Sequence, residues 1–207
     1  MEQLETIRSY WNTRADGYSK SVMEEMEDAQ KEGTYWKTLL DKYLPKADNP
    51  KVLDLGCGPG FFTMMLGQRG CQMTAFDYSD GMLNQAKQNA ASAGVTAEFV
   101  QGDAQKLPFE DETFDMIVTR NLTWNLEHPE KAYREWLRVL KKGGCILNYD
   151  GNYYLLAFDD NSQQIRTYRV DRMKAINRLG TPRDGAEAFA AIDMKTYTQR
   201  TFSMFGG

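Results

Sequence analysis

Lys51-Val-Leu-Asp-Leu-Gly-Cys-Gly-Pro-Gly-Phe-Phe62 decides how the chain is read. Val52, Leu53 and Leu55 form a short apolar run with one acid, Asp54, inside it. Gly56, Gly58 and Gly60 follow at alternate positions, and Phe61, Met64 and Met65 then take a helical spacing. A buried strand, a tight glycine turn and a helix start account for that order. Glycine suits the turn because the backbone must reverse sharply and pass close to a bound molecule, where a Cβ would stand in the way. The helix start aims unpaired N–H groups at the same molecule.

Working outward, the segment from 51 to 149 alternates strand and helix. Strands are expected at 51–55, 72–76, 96–100, 114–118 and 145–149, with helices at 60–69, 80–93 and 129–141 between them. The second of these helices uses Met82, Leu83, Ala86 and Ala90, and the third uses Ala132, Tyr133, Trp136, Leu137 and Leu140 before Lys141-Lys-Gly-Gly144 stops it. Such a rhythm implies an α/β protein, a Rossmann-like, doubly wound and mostly parallel sheet with helices on both faces. Ligands in such sheets bind beyond the carboxyl ends of the strands, where strand order reverses. Before residue 51 the chain reads as a weak helix over 2–11, a polar stretch with aromatics over 12–18, and a longer helix over 19–44. After Asp150, helices are expected at 161–179 and 184–194 and one strand at 195–205.

The 207 residues fit one domain, with 1–48 as a helical lid, 51–150 as the binding core and 151–207 as a helical cap. The net charge of −4 argues against a general nucleic-acid binder. No apolar run approaches the roughly 20 residues of a membrane span. The acidic, polar start, Met1-Glu-Gln-Leu-Glu-Thr6, does not read as a signal peptide, so the cytoplasm is expected. Cys57, Cys71 and Cys145 lie far apart and read as small buried residues. With one histidine, His128, no metal site is expected.

A glycine turn of this kind suits either a dinucleotide or S-adenosylmethionine (SAM). The dinucleotide pattern G-x-G-x-x-G fails here, because Phe61 stands where the third glycine belongs and Gly60 comes one place early. Asp77, after the second strand, suits either ligand, since a carboxylate can accept from both hydroxyls of a ribose. The stretch Asp54-Leu-Gly-Cys-Gly-Pro-Gly60 resembles the first motif of class I SAM-dependent methyltransferases. The resemblance continues through Phe76-Asp-Tyr-Ser-Asp-Gly-Met-Leu83, Gly102-Asp-Ala-Gln-Lys-Leu-Pro-Phe109, Phe114-Asp115 and Leu137-Arg-Val-Leu-Lys-Lys-Gly-Gly144, in order and spacing. It is greatest to the small-molecule enzymes of the ubiquinone-biosynthesis group. Tyr10-Trp-Asn-Thr-Arg-Ala-Asp-Gly-Tyr18 is similar to the aromatic lid segment that opens many of them.

The resemblance implies a cofactor site residue by residue. Gly56, Cys57, Gly58 and Gly60 would line the methionine part of SAM, with Asp54 beneath the turn or simply stabilising it. Asp77 would hold the ribose, Tyr78 and Met82 would pack on adenine, and Asp103 and Ala104 would face its edge. Arg120 and Asn121 would sit beside the methionine moiety, with Arg120 either a surface charge or a partner for the SAM carboxylate. Tyr10, Tyr18, Trp124, Asn125 and Tyr153 are candidates for walling the methyl-transfer pocket. No general base stands out, and His128 reads as a helix-entry residue.

The expected activity is methyl transfer from SAM to a small molecule by direct displacement, leaving S-adenosylhomocysteine. A SAM-binding protein with little catalysis is the alternative, and a nicotinamide-dependent oxidoreductase is third. The family's sheet ordinarily has seven strands. After the fifth, this chain offers two helical stretches and one β-prone stretch, so one or both closing strands are expected to be absent from a shortened chain. An unpaired edge then favours a homodimer through 195–205.

Overall fold

The computed structural model describes residues 2–31, 34–123, 126–149, 154–159 and 161–169. The chain divides into two compact units, Met1–Asp150 and Gly151–Gly207.

The first unit is built on five parallel strands, β1 (Lys51–Leu55), β2 (Gln72–Asp77), β3 (Ala97–Gln101), β4 (Phe114–Arg120) and β5 (Leu140–Tyr149). Their order is β3-β2-β1-β4-β5. The chain runs outward from β1 through β2 to β3, then crosses back to β4, so strand order reverses beside β1. The glycine turn leaves β1 at that reversal, where such sheets bind ligands.

Alternation along β1 divides the core. Val52 packs with Phe61, Phe62, Met65, Met116 and Val118 on one face, whereas Leu53 and Leu55 pack with Ile117, Ala132 and Trp136 on the other. Helices α3 (Phe61–Gly67), α4 (Asp80–Ser92) and α5 (Pro129–Val139) follow β1, β2 and β4. Trp136 of α5 is fully buried, and its indole Nε1–H donates to the Ala104 carbonyl at 2.8 Å. That bond fixes the loop after β3, part of the candidate adenine side, against the sheet.

The amino-terminal part departs from expectation. Residues 12–18 form no break: α1 (Glu2–Ala29) is one continuous helix. The polar residues there are helical because they face another helix, as described below. The longer helix expected over 19–44 is instead divided, and α2 spans Tyr35–Tyr43. Thr34 marks the division. Its hydroxyl donates to the Ala29 carbonyl at 2.8 Å and accepts from the Lys37 N–H at 3.4 Å, capping α2.

The stop read at Lys141-Lys-Gly-Gly144 lies inside β5. Phe114 pairs with Leu140 and Met116 with Cys145, so the intervening residues of β5 bulge out of register. Gly143 has φ +81°, and a Cβ on Gly144 would stand 2.8 Å from the Asp115 carbonyl. The glycines therefore make an irregularity within the strand.

In the second unit β6 (Tyr154–Asp159) and β7 (Gln164–Arg169) form their own antiparallel pair. This overturns the helix expected over 161–179 for the stretch Gln164–Arg169. Turn chemistry prevails over the helical spacing of Ile165 and Tyr168. Asp159 Oδ1 accepts from the N–H groups of Asn161 and Ser162 at 2.9 and 3.1 Å, and Gln163 takes φ +53°. The rest of that helix, and those elements expected at 184–194 and 195–205, lie outside the described residues.

Candidate functional site

The glycine turn needs its glycines for different reasons. Gly56, Gly58 and Gly60 have φ of +67°, +51° and +92°, the left-handed region that side chains avoid. At Gly56 a Cβ would also stand 2.9 Å from Leu122 Cδ1, and Gly60 is the left-handed cap of α3. The N–H groups of Gly56 and Cys57 both donate to the Phe76 carbonyl, at 2.8 and 3.0 Å, pinning the turn to β2. Cys57 is buried, which pushes its thiol well above the ordinary range, so it serves as a packed residue rather than a nucleophile.

Two acids brace the turn. Asp54 is 2% exposed, and its Oδ2 accepts from both the N–H and the hydroxyl of Thr63, at 2.8 and 2.6 Å. The acid therefore stabilises the first turn of α3. Burial raises its pKa to about 7, against the lowering by the two Thr63 bonds. Asp77 ends β2, half-buried. Its Oδ2 accepts from the Gly58 N–H at 2.9 Å and its Oδ1 from the Ser79 N–H at 2.8 Å. Burial raises this pKa as well, and the bonds from Ser79, Gly58 and Tyr78 oppose the rise.

Beyond Asp77, Ser79 caps α4 by accepting from the Met82 N–H at 3.0 Å. Met82 is 2% exposed. The Tyr78 hydroxyl donates to Glu5 of α1 at 3.1 Å. Asp103 uses Oδ1 to hold its own turn, accepting from the Gln105 N–H at 2.9 Å, and Ala104 is buried beside it. His128 stands before α5 with no capping side-chain bond, as a helix-entry residue.

At the end of β4, Arg120 is no surface charge. Its side chain is 16% exposed and its Nη2 donates to Glu25 Oε2 at 2.6 Å. The guanidinium lies 4.4 Å from the Phe61 ring centroid and 5.4 Å from that of Trp36, while Nε and Nη1 are buried without a partner. Asn121 takes φ +55°, which turns the chain out of the sheet, and its N–H donates to the Tyr149 carbonyl at 2.9 Å.

The first helix runs along this site. Asn12 Oδ1 accepts from the Ser79 hydroxyl at 2.6 Å and the Gly81 N–H at 3.0 Å, and its Nδ2 donates to Asp80 at 2.8 Å. Asp16 accepts from Gln85 at 2.6 Å and Ser19 from Asn89 at 3.0 Å. Asn89 also donates to the Pro59 carbonyl in the glycine turn. Tyr18 Cε1 lies 3.6 Å from where a Cβ on Gly58 would be, so the ring covers the turn. Tyr10 packs edge-on to Trp11 and under Arg14. Asn12, Asp16, Ser19, Glu25 and Thr63 escaped the sequence reading. Asn12, Asp16 and Ser19 fall at i, i+4 and i+7, a polar stripe that marks a helix face with a polar partner. Trp124, Asn125 and Tyr153 lie outside the described residues. Among the described residues, no group of three or more His, Cys, Asp or Glu side chains could hold a metal ion.

The methyltransferase domain family matches residues 53–148, which takes in the turn, both acids and Arg120. The chain is 34% identical over 112 residues to a demethylmenaquinone methyltransferase of Clavibacter sepedonicus, covering 54% of this chain and 45% of that protein. It is 32% identical over 150 residues to the ubiquinone/menaquinone biosynthesis C-methyltransferase UbiE of Bartonella tribocorum, covering 68% and 56%. Among solved structures, an inferred SAM-dependent methyltransferase of Methanococcus maripaludis superposes with TM-score 0.57 at 26% identity, over 68% of this chain and 65% of that one. The PH0226 protein of Pyrococcus horikoshii superposes with TM-score 0.51 at 30% identity, over 64% and 70%.

Residues 53–148 are thus similar to the class I SAM-dependent methyltransferases. The chain spans about half the length of the curated relatives it matches. The WYL domain family also matches residues 145–178, across β5, β6 and β7. SAM is the cofactor of this methyltransferase family, and the residues present fit it. Both oxygens of Asp77 accept from backbone N–H groups and keep capacity for the hydroxyls of a vicinal diol. The turn facing it lacks Cβ atoms at three positions, and Arg120 has two unpartnered donors.

Proposed function

We propose that the chain transfers a methyl group from SAM to a small-molecule acceptor by direct displacement. The observation that carries this reading is the bonded pair of Gly58 and Asp77 at the strand-order reversal, within the matched methyltransferase core. In this reading Asp77 takes the ribose hydroxyls, and Gly56, Cys57, Gly58 and Gly60 border the methionine part. Tyr78, Met82, Asp103 and Ala104 form the adenine side, while Arg120 and Asn121 stand at the amino-acid end. Asp54 acts one layer below, by fixing α3 through Thr63.

SAM supplies a methyl already activated on a sulfonium. The chain's residues then have to align an acceptor with it and keep water away, which makes positioning the larger share of the catalysis. Tyr18 supports that role, because its ring already covers the turn. Tyr10, Trp124 and Asn125 are the further candidates for the acceptor wall. We take 1–207 as one methyltransferase domain with a helical lid at its start, and a homodimer through the carboxyl-terminal segment as its assembly. The free thiols of Cys57, Cys71 and Cys145 support a reducing compartment, the cytoplasm.

The test is calorimetric titration with SAM, S-adenosylhomocysteine and NAD, followed by an acceptor screen read by S-adenosylhomocysteine release. Demethylmenaquinone comes first, since it is named in a relative. Binding of SAM but not NAD, with a methylated product, is the expected result. Binding without any product over a broad acceptor set would leave only a SAM-binding role.

A further inference from the structure

Pro59 of the glycine turn has no N–H, so its carbonyl is its one main-chain group for hydrogen bonding. Pro59 is buried, and that carbonyl accepts from Asn89 Nδ2 of α4 at 2.9 Å. The same nitrogen donates to Ser19 Oγ of α1 at 3.0 Å. A primary amide nitrogen has two hydrogens, so Asn89 spends both donors, one on the turn and one on the helix. Packing supports the bonds. One helical turn before Asn89, the Ala86 Cα would stand 3.4 Å from a Cβ on Gly60, so α4 lies directly against the turn. Tyr18, the neighbour of Ser19, covers Gly58, the neighbour of Pro59. Two successive residues of α1 thus hold two successive residues of the turn, Tyr18 by its ring and Ser19 through Asn89.

We propose that Asn89 is a positioning residue, which makes the shape of the glycine turn, and with it the affinity for SAM, depend on α1 being seated. The proposal rests on the cofactor reading above and adds the means by which the turn responds to the helix. With Ser19 in place, two acceptors fix the plane of the Asn89 amide. When α1 lifts, one acceptor is lost and the hold on Pro59 weakens. Gly60, which follows Pro59, keeps the left-handed φ that starts α3, so a loosened Pro59 carbonyl disturbs the turn where α3 begins. The coupling is reciprocal: a ligand that fixes the turn also favours the seated helix.

Amide exchange followed by NMR on the ligand-free protein reads the turn, because the Gly58 and Gly60 N–H groups are bonded there, to Asp77 and to the Cys57 carbonyl. Calorimetry with S-adenosylhomocysteine reads the site. Ser19→Ala removes only the far support of Asn89. It should quicken exchange at Gly58 and Gly60 and weaken S-adenosylhomocysteine about 2- to 10-fold, the size of one neutral hydrogen bond. Asn89→Ala should weaken it further, about 5- to 50-fold, since both bonds go. Adding Ser19→Ala to Asn89→Ala should then change affinity by less than about twofold, because Ser19 acts through Asn89. Asn89→Asp keeps the outline and lacks both donors; it should show the same loss, and it replaces Asn89→Ala in the cycle if that variant does not fold. Asp16→Ala removes a bond between the same two helices, to Gln85, that does not reach the turn. It should leave exchange at Gly58 and Gly60 within about twofold. Additive losses in the double variant would make Asn89 a packing residue and overturn the proposal. Turn amides quickened as much by Asp16→Ala as by Ser19→Ala would overturn it too, since general loosening of α1 would then suffice. Quickened turn amides with unaltered affinity would overturn the link to the cofactor. If the unaltered protein binds no S-adenosylhomocysteine, the cofactor reading itself fails, and the proposal falls with it whatever the exchange shows.

Discussion

The Gly58 N–H donates to Asp77 Oδ2 at 2.9 Å, so the turn after β1 and the acid that ends β2 form one unit. Asp77→Ala removes the acceptor for Gly58 and Ser79 together with the proposed ribose contact. We expect S-adenosylhomocysteine affinity to fall about 100-fold or more and stability to drop by about 1–3 kcal/mol. Calorimetry and urea unfolding measure the two losses separately. A stable Asp77→Ala protein with undiminished affinity would remove this acid from the site.

Asp54 gives stability a pH dependence of definite sign. Its carboxyl titrates near pH 7 in the folded protein and near about 4 when unfolded. Between those values the folded state holds a proton that the unfolded state has lost, so stability falls as pH rises from about 4 to about 7 and then levels. Asp77, also raised by burial, acts in the same direction. Asp54→Asn keeps an oxygen for Thr63 and removes the titration. Its Tm should decline less than that of the unaltered protein between about pH 5 and 8. Parallel Tm curves would contradict this assignment.

Asn12 carries three bonds from α1 to the start of α4. Asn12→Ala should cost about 1–3 kcal/mol in urea unfolding, since Ser79 and Gly81 lose an acceptor in a partly buried place. Amide exchange should quicken over the first half of α1. A loss confined to α4, with α1 protection unaltered, would mean that the seam does not hold the helix.

Gly58 and Gly70 both have positive φ, +51° and +83°, but differ in surroundings. A Cβ on Gly70 meets nothing within 4 Å, whereas on Gly58 it meets Tyr18 at 3.6 Å inside the proposed site. Alanine at either position should cost about 1–2 kcal/mol of stability through backbone strain alone. Only Gly58→Ala should weaken S-adenosylhomocysteine. Equal affinities for the two variants would show that ligand does not approach this turn.

The parts of the fold that were legible in sequence are those with short-range causes. Val52, Leu53 and Leu55 mark a strand because a buried parallel strand is apolar on both faces, and Gly56 to Gly60 mark a turn because no other residue takes those angles. The polar stretch Asn12–Tyr18 reads as a break because its partners are some 70 positions away, in α4 and its cap. Asp54 stands out in the sequence as the one acid in an apolar run, but its partner Thr63 depends on α3 folding back over the strand. Sequence alone leaves Arg120 between surface and site for a related reason. Its environment comes from Glu25, Trp36 and Phe61, on three different helices. The hairpin of β6 and β7 is not legible in sequence because Asp159 and Gln163 make a turn with ordinary residues, while Ile165 and Tyr168 keep a helical interval.

The two halves of α1 are attached by different means. Glu5, Asn12, Asp16 and Ser19 bond to Tyr78 and α4, whereas Val22, Met26 and Ala29 are sunk in the core with Phe61, Phe62 and Leu40. Water can replace the first kind of contact partner by partner, but it gains nothing from the second. The helix is therefore expected to loosen from its amino-terminal end before its other end. If the proposed site holds its ligand under this helix, the side at Asp77 and Tyr78 is expected to open to solvent before the side at Arg120.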